Sequence, residues 1–403
     1  MGNPAGVLAQ KSRKRRLKQE LRIQGNAIKQ QQAIKRGNDI ATALEGKADP
    51  NQKAMFDLYQ LSAAADVLAQ RLGLDHVDEA AHSETTDLVS AVSVVLDEGK
   101  IGPIVVGVTD LNSPKIASVE QICRQVLGSE QPYRVELTGV IGAGIDAFSS
   151  PSIGTASGRA AGLRWEGPGW FKRLFRQRSN GFKGPSNTMV GGNPIFVVGE
   201  QHYEGTATGA AIPKNLGQES VLKMAGHVAQ AVEAAIHHST STGPRIGKVG
   251  AVSKSIAQPP TTSDAAYGQM DNGWRAIPAI QNVGEVVSIG GPDPGIEYEV
   301  CGRYLGHWKC ELVRAVSRFR MTLPDDKTKV VLLKQFEFRL KPGHRSGVRG
   351  GDSGGPIFLK LSGQSQKAHL VGMLIARDLK DPQLFYVTSM LSVHDDLDLV
   401  HKL

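Results

Sequence analysis

Seven residues, Gly350-Gly351-Asp352-Ser353-Gly354-Gly355-Pro356, restrict the fold of this chain more than any other stretch. Four glycines and a proline in seven places exclude a helix interior, where each glycine costs about 1 kcal/mol and proline about 3. The stretch reads as a tight turn, and it carries one serine.

A turn of this kind suits a serine nucleophile. The hydroxyl has to project toward a substrate carbonyl, and backbone N–H groups of the same turn have to face the oxygen that becomes negative. Glycine permits both the unusual backbone angles and the close approach of substrate. Ser353 is therefore the candidate nucleophile, and Gly351 and Ser353 are the candidate donors of an oxyanion hole. A serine hydroxyl needs a base, and the base needs an acid to orient it. His227, in Lys223-Met224-Ala225-Gly226-His227-Val228, and Asp264, in Ser263-Asp264-Ala265-Ala266-Tyr267, stand in suitable contexts. His227 is read as opening an Ala-rich helical stretch, Ala229 to Ile236. No cofactor is implied, and no His, Cys or Asp spacing suggests a metal site.

Around that turn, apolar runs are short and separated by Gly, Pro and Asp. Examples are Ile195 to Val198, Val286 to Ile289, Lys329 to Leu333 and His369 to Ile375. Many short strands predict a barrel-type all-β domain over 185–403. The 46 glycines and 5% aromatic content fit turns and strands better than a bundle. Upstream, Met55, Leu58, Leu61, Ala65, Leu68 and Leu72 keep a helical period that Gly73 ends. Leu88 to Leu96 leans toward strand. Gly102 to Thr109, Ile116 to Leu127 and Tyr133 to Val140 follow in the order strand, helix, strand, which predicts a β-α-β unit. The expected organisation is a basic arm and helix over 1–80, a small α+β region and connector over 81–184, and the β domain. Within the connector, Trp170 to Arg178 reads as a short amphipathic piece.

GDSGGP, preceded by Ala-Gly-His-Val at 225–228 and Asp-Ala-Ala at 264–266, resembles the chymotrypsin/trypsin-like serine peptidase superfamily. Its order His, Asp, Ser recurs here at intervals of 37 and 89 residues. Gly191-Gly192 with Gly205-Thr206 resembles the opening of the first barrel in intracellular bacterial members, and Val300-Cys301-Gly302-Arg303 resembles the start of their second. The strand segment around Gly102–Gly139 is similar to the piece that often precedes the peptidase in that group. The resemblance implies a mainly β fold, a chymotrypsin-like double β-barrel preceded by the small α+β region and the N-terminal helical arm. It implies serine endopeptidase activity on a protein or peptide substrate, with His227 as base, Asp264 as orienting acid and Ser353 as nucleophile.

The resemblance also marks departures. Met189-Val190-Gly191-Gly192 mimics an activation sequence, but Thr188 precedes it where Lys or Arg would, so a loop before the first strand is expected. Gly347 stands where the trypsin branch places an acid on the floor of the substrate pocket, so no selection for Lys or Arg is expected. Arg345 and Arg349 are nearby cations.

Two other functions compete with the peptidase. One is a small-ester acyl hydrolase with the same triad. The other is a weakly catalytic scaffold whose basic arm binds a polyanionic partner. Residues 1–36 hold ten Lys/Arg and one Glu, or +9, against +8 for the whole chain, so the remainder sums to −1. Binding to an acidic partner or nucleic acid is thus expected only from the arm, and it lacks aromatic residues for base stacking. Three cysteines, no apolar run before the basic cluster Lys11–Arg16 and no transmembrane segment predict a cytoplasmic protein with free thiols.

Overall fold

The computed structural model describes residues 50–74, 87–97, 100–129, 131–143, 187–199, 202–215, 219–253, 261–323, 329–361 and 366–400. The basic arm before residue 50 and the piece Trp170–Arg178 lie outside the described residues.

The first helix, α1 (Pro50–Arg71), ends where Gly73 takes a φ of 81°. It buries Ala65, Leu68, Ala69 and Leu72 on one face, as the 3.6-residue period requires. Strands β1 (Val89–Asp97) and β2 (Lys100–Val108) pair antiparallel. Helix α2 (Ile116–Leu127) then carries the chain to β3 (Tyr133–Leu137), parallel to β2. The expected β-α-β unit is present, and its apolar faces share one core with α1.

Two β assemblies follow. In the first, β6 (Pro194–Val198), β7 (His202–Thr206), β8 (Gly209–Pro213), β9 (Val221–Ala225), β10 (Ala235–His238), β11 (Arg245–Val252), β12 (Ala265–Met270) and β21 (Leu399–Val400) form one sheet. Its order is β21-β8-β9-β12-β11-β10-β6-β7. In the second, β15 (Glu297–Gly302), β16 (Gly306–Thr322), β17 (Lys329–Leu340), β20 (Leu384–Ser389), β19 (Lys367–Asp378) and β18 (Pro356–Lys360) pair in that order, and β18 returns to β15. This ring is a closed six-stranded barrel, which leaves no exposed edge along most of its length. Tyr298, Val300, Leu312, Phe338, Ile357 and Phe385 fill it. The chain is mainly β, with this closed barrel in one sheet and an eight-stranded second sheet beside it. On its outer edge β16 also pairs with β1, so the sheet of the N-terminal module continues into the second barrel.

Two local expectations are overturned. The stretch 229–236 is not helical: α3 (Gly226–Ala229) stops after four residues. Gln230 and Glu233 have φ of 60° and 72°, and β10 begins at Ala235 because Ile236 is needed in the core between β6 and β11. His237 and His238 therefore lie on a strand, not on a helix. Met189-Val190-Gly191 is no loop either. It lies in β5 (Thr188–Gly191), parallel to β13 (Arg275–Ile280), with Met189 and Val190 buried.

Between the two β assemblies runs a third apolar cluster, which includes Val221, Tyr267, Ile280, Phe319, Ile375 and Met390. Lys223 is fully buried beside it. Its Nζ lies 3.4 Å from Met390 Sδ and 3.2 Å from His394 Nε2, both on helix α4 (Met390–Asp396). Burial pushes the Lys223 amine down from 10.5 to about 7. The unfolded chain then binds more protons than the folded one between about pH 7 and 10.5, so this lysine makes stability rise with pH across that window. Below pH 7 it is charged in both states and the full penalty is present. Lys223→Met is therefore expected to stabilise by about 1–4 kcal/mol at neutral pH. The gain should shrink as pH rises toward 10. Denaturant melts of both proteins from pH 6.5 to 10 check this; a gain that grows with pH would refute it.

Candidate active site

His227 sits on α3 directly after β9, with its side chain turned inward and the residue 3% exposed. Its Nδ1 is 2.5 Å from Asp264 Oδ2, and its backbone N–H donates to Asp264 Oδ1 at 2.9 Å. Gly226 N–H donates to the Asp264 carbonyl. The carboxylate thus receives both the ring and the main chain of the same residue, which fixes the ring orientation. Asp264 is 1% exposed.

The loop that presents Asp264 is held from several directions. Ser253 Oγ accepts from Ala265 N–H and donates to the Ser263 carbonyl, both at 3.1 Å. Ser263 and Thr262 hydroxyls donate to Asp396 at the end of α4, at 2.6 and 3.0 Å. Gln335 Nε2 on β17 donates to the Thr262 carbonyl at 2.8 Å. Sequence reading missed Gln335 and Asp396, because nothing local marks a residue that acts 73 or 133 positions away.

Ser353 lies in the predicted turn and is 2% exposed. Three groups lock that turn. Thr206 N–H donates to the Ser353 carbonyl at 2.8 Å, and the Thr206 and Thr208 hydroxyls donate to the Gly351 and Gly354 carbonyls at 2.8 and 2.6 Å. Gly354 N–H donates to Leu374 at 2.7 Å, and Leu374 N–H returns to Gly355 at 2.9 Å. Asp352 is fully buried, and burial raises its pKa. It accepts from the N–H groups of Tyr304, Leu305 and Arg349 at 2.7, 3.0 and 2.9 Å, which oppose that rise. Gly351 has a φ of 90°, and an added Cβ would lie 2.7 Å from the Tyr304 ring. Only glycine fits there.

The structure brings His227 and Asp264 together. The Ser353 hydroxyl is not within hydrogen-bonding geometry of His227: the buried Nε2 has no hydrogen-bond partner. The strand that holds the Ser353 turn also passes α3, since an added Cβ on Gly205 would touch both Val228, next to His227, and the Ser353 carbonyl. A buried imidazole held by a carboxylate, with its second nitrogen unsatisfied, can take up a proton from a hydroxyl that rotates toward it.

At the expected pocket floor, Gly347 has a φ of 65°, and a Cβ there would lie 2.4 Å from the Pro382 carbonyl oxygen. Arg345 and Arg349 are exposed. Arg377 on β19 is buried nearby, and its Nη1 donates to the Val348 carbonyl at 2.8 Å. Among the described residues, no three His, Cys, Asp or Glu side chains converge as metal ligands. Cys123, Cys301 and Cys310 are free and buried. No helix among the described residues is long and apolar enough to cross a membrane.

About half of the chain is similar to solved structures of proteases, Cellulomonas bogoriensis chymotrypsin among them. Thermobifida fusca protease A is 14% identical, with a TM-score of 0.39 over 53% of this chain and 97% of its own. Nocardiopsis protease is 14% identical, with a TM-score of 0.37 over 53% and 97%. The active form of a Mycobacterium tuberculosis protease is 12% identical, with a TM-score of 0.31 over 55% and 95%. No protein-family model matches the chain, and no curated protein does.

Proposed function

We propose that this protein is a serine endopeptidase acting through an acyl-enzyme on Ser353. The observation that carries the reading is the buried His227–Asp264 couple beside a turn built to present one serine. In this mechanism a peptide carbonyl enters, and the Ser353 hydroxyl swings to about 3 Å from His227 Nε2. Nε2 takes the hydroxyl proton as Oγ attacks, and later gives it to the leaving amine. Asp264 keeps Nδ1–H toward itself, so that Nε2 is the free base, and it stabilises the imidazolium that forms. The N–H groups of Gly351 and Ser353 face the oxyanion. Water then attacks the acyl ester, with His227 again as base. No cofactor takes part.

Cleavage mapping on whole proteomes tests the reading. New termini should appear with the purified chain and not with Ser353→Ala. Equal sets of termini from both would refute it, and turnover confined to small esters would favour the acyl-hydrolase alternative.

Gly347 and the buried Arg377 guanidinium also bear on selectivity. A basic side chain entering beside Arg377 meets a like charge at low solvation, which costs several-fold or more in rate. Cleavage after Lys or Arg is expected to run at least about tenfold below cleavage after neutral or acidic residues. A peptide-library profile dominated by Arg would contradict this.

A further inference from the structure

Strand β19 has two edges beyond its bonds to the nucleophile turn. β20 takes one, pairing Gly372 to Arg377 with Ser389 to Phe385. On the other edge, β18 pairs up to Met373, and Leu374 bonds to Gly354 and Gly355. The next two residues on that edge are Ile375 and Ala376. After them, β4 (Ile141–Gly142) pairs antiparallel, Gly142 opposite Arg377 and Ile141 opposite Asp378, while its other edge pairs parallel with β16 at Met321 and Thr322. An extended peptide recognises a sheet by adding a strand to an open edge. The edge leading away from Ser353 is where the acyl side of a substrate would add, and β4 already holds its outer part.

Direction agrees with this placement. Going from Ile141 to Gly142, the chain moves from Asp378 to Arg377, toward Leu374 and the Ser353 turn. An acyl-side peptide delivering its last residue to Ser353 would run the same way. The contact is well anchored. Gly139 N–H donates to Asp378 Oδ2 at 3.0 Å, Leu379 N–H to the Val140 carbonyl at 3.0 Å, and Ala143 N–H to the Thr322 carbonyl at 2.9 Å. Ile141 and Ala143 are 1% and 0% exposed, in the apolar cluster that contains Ile375 and Ala376. Ile375 and Ala376 are themselves buried, as are Ser353 and His227.

The geometry points to residues 138–143 as a built-in occupant of the acyl-side binding edge, an autoinhibitory strap that holds the site latent until it lifts. This rests on the serine-peptidase reading above for its chemistry, but the occupancy itself can be read by binding alone. Gly139 is the lever, since an added Cβ would meet Asp378 Oδ1 at 1.9 Å. Gly139→Ala and Asp378→Asn are mild lesions and Gly139→Val a strong one, so the series retains folded members, verified by thermal melts.

In a Ser353→Ala background, a fluorescein-labelled hexapeptide with the sequence Thr-Gly-Val-Ile-Gly-Ala of residues 138–143 is added to each protein. Anisotropy should show binding to the folded strap variants at least about tenfold tighter than to Ser353→Ala alone. With Ser353 present, the same lesions should raise hydrolysis of a substrate with four residues before the scissile bond by at least about tenfold. Equal peptide binding with and without the lesions overturns the strap. Tighter binding without hydrolysis leaves the strap standing and overturns the peptidase reading instead.

Discussion

Ser353→Ala is expected to abolish labelling by a fluorophosphonate probe and to lower peptide hydrolysis by roughly 10⁴–10⁶. The size follows from how the triad acts: without the hydroxyl, neither the base nor the oxyanion donors have a covalent intermediate to serve. Residual rate over water would come from binding and the oxyanion donors alone. The substitution removes one oxygen from a turn held by Thr206, Thr208 and Leu374 through its backbone, so the fold should not change. Because Ser353 is only 2% exposed, labelling of the parent should be slow and should quicken when Gly139 is replaced. Labelling of Ser353→Ala at the parent's rate would place the nucleophile elsewhere.

Asp264→Asn is expected to lower kcat by about 10⁴ with little change in KM. The amide can still accept from the His227 N–H, so the local backbone should hold. It cannot keep the ring in the same state, because its NH2 group would face Nδ1 and force the proton onto Nε2. That nitrogen would then donate where it must accept. A loss below about tenfold would mean that another acid orients His227. A loss matched by unfolding, seen in the near-ultraviolet circular dichroism, would mean that the couple is structural.

Much of the candidate site was legible because its signals are local. Gly350 to Gly355 forms the turn the glycines suggested, with Pro356 opening β18, and that turn is where Ser353 lies. His227 and Asp264 stood out by their apolar surroundings, and the two are in contact. Ala229 to Ile236 misled for a physical reason. Alanines favour helix in isolation, but Ile236 gains more by pairing between β6 and β11 than the helix gains by continuing. Arg345 and Arg349 drew attention by nearness in sequence, whereas the buried Arg377, which donates to the Val348 carbonyl, comes from a strand 29 residues away.

The sequence alone determined the turn that carries the serine, the helix ending at Gly73, the β-α-β order of residues 100–137 and the many short strands of the rest. These follow from backbone sterics and from periods of 2 and 3.6, which act over a few residues. Tertiary structure alone decided that Thr206 braces a turn 145 residues away, that Asp378 anchors Gly139 across 239 residues, and that Lys223 is buried against His394. It also decided that β4 runs along the edge of β19. Each of these depends on which surfaces meet when the two β assemblies pack together, and no local pattern of residues encodes that meeting.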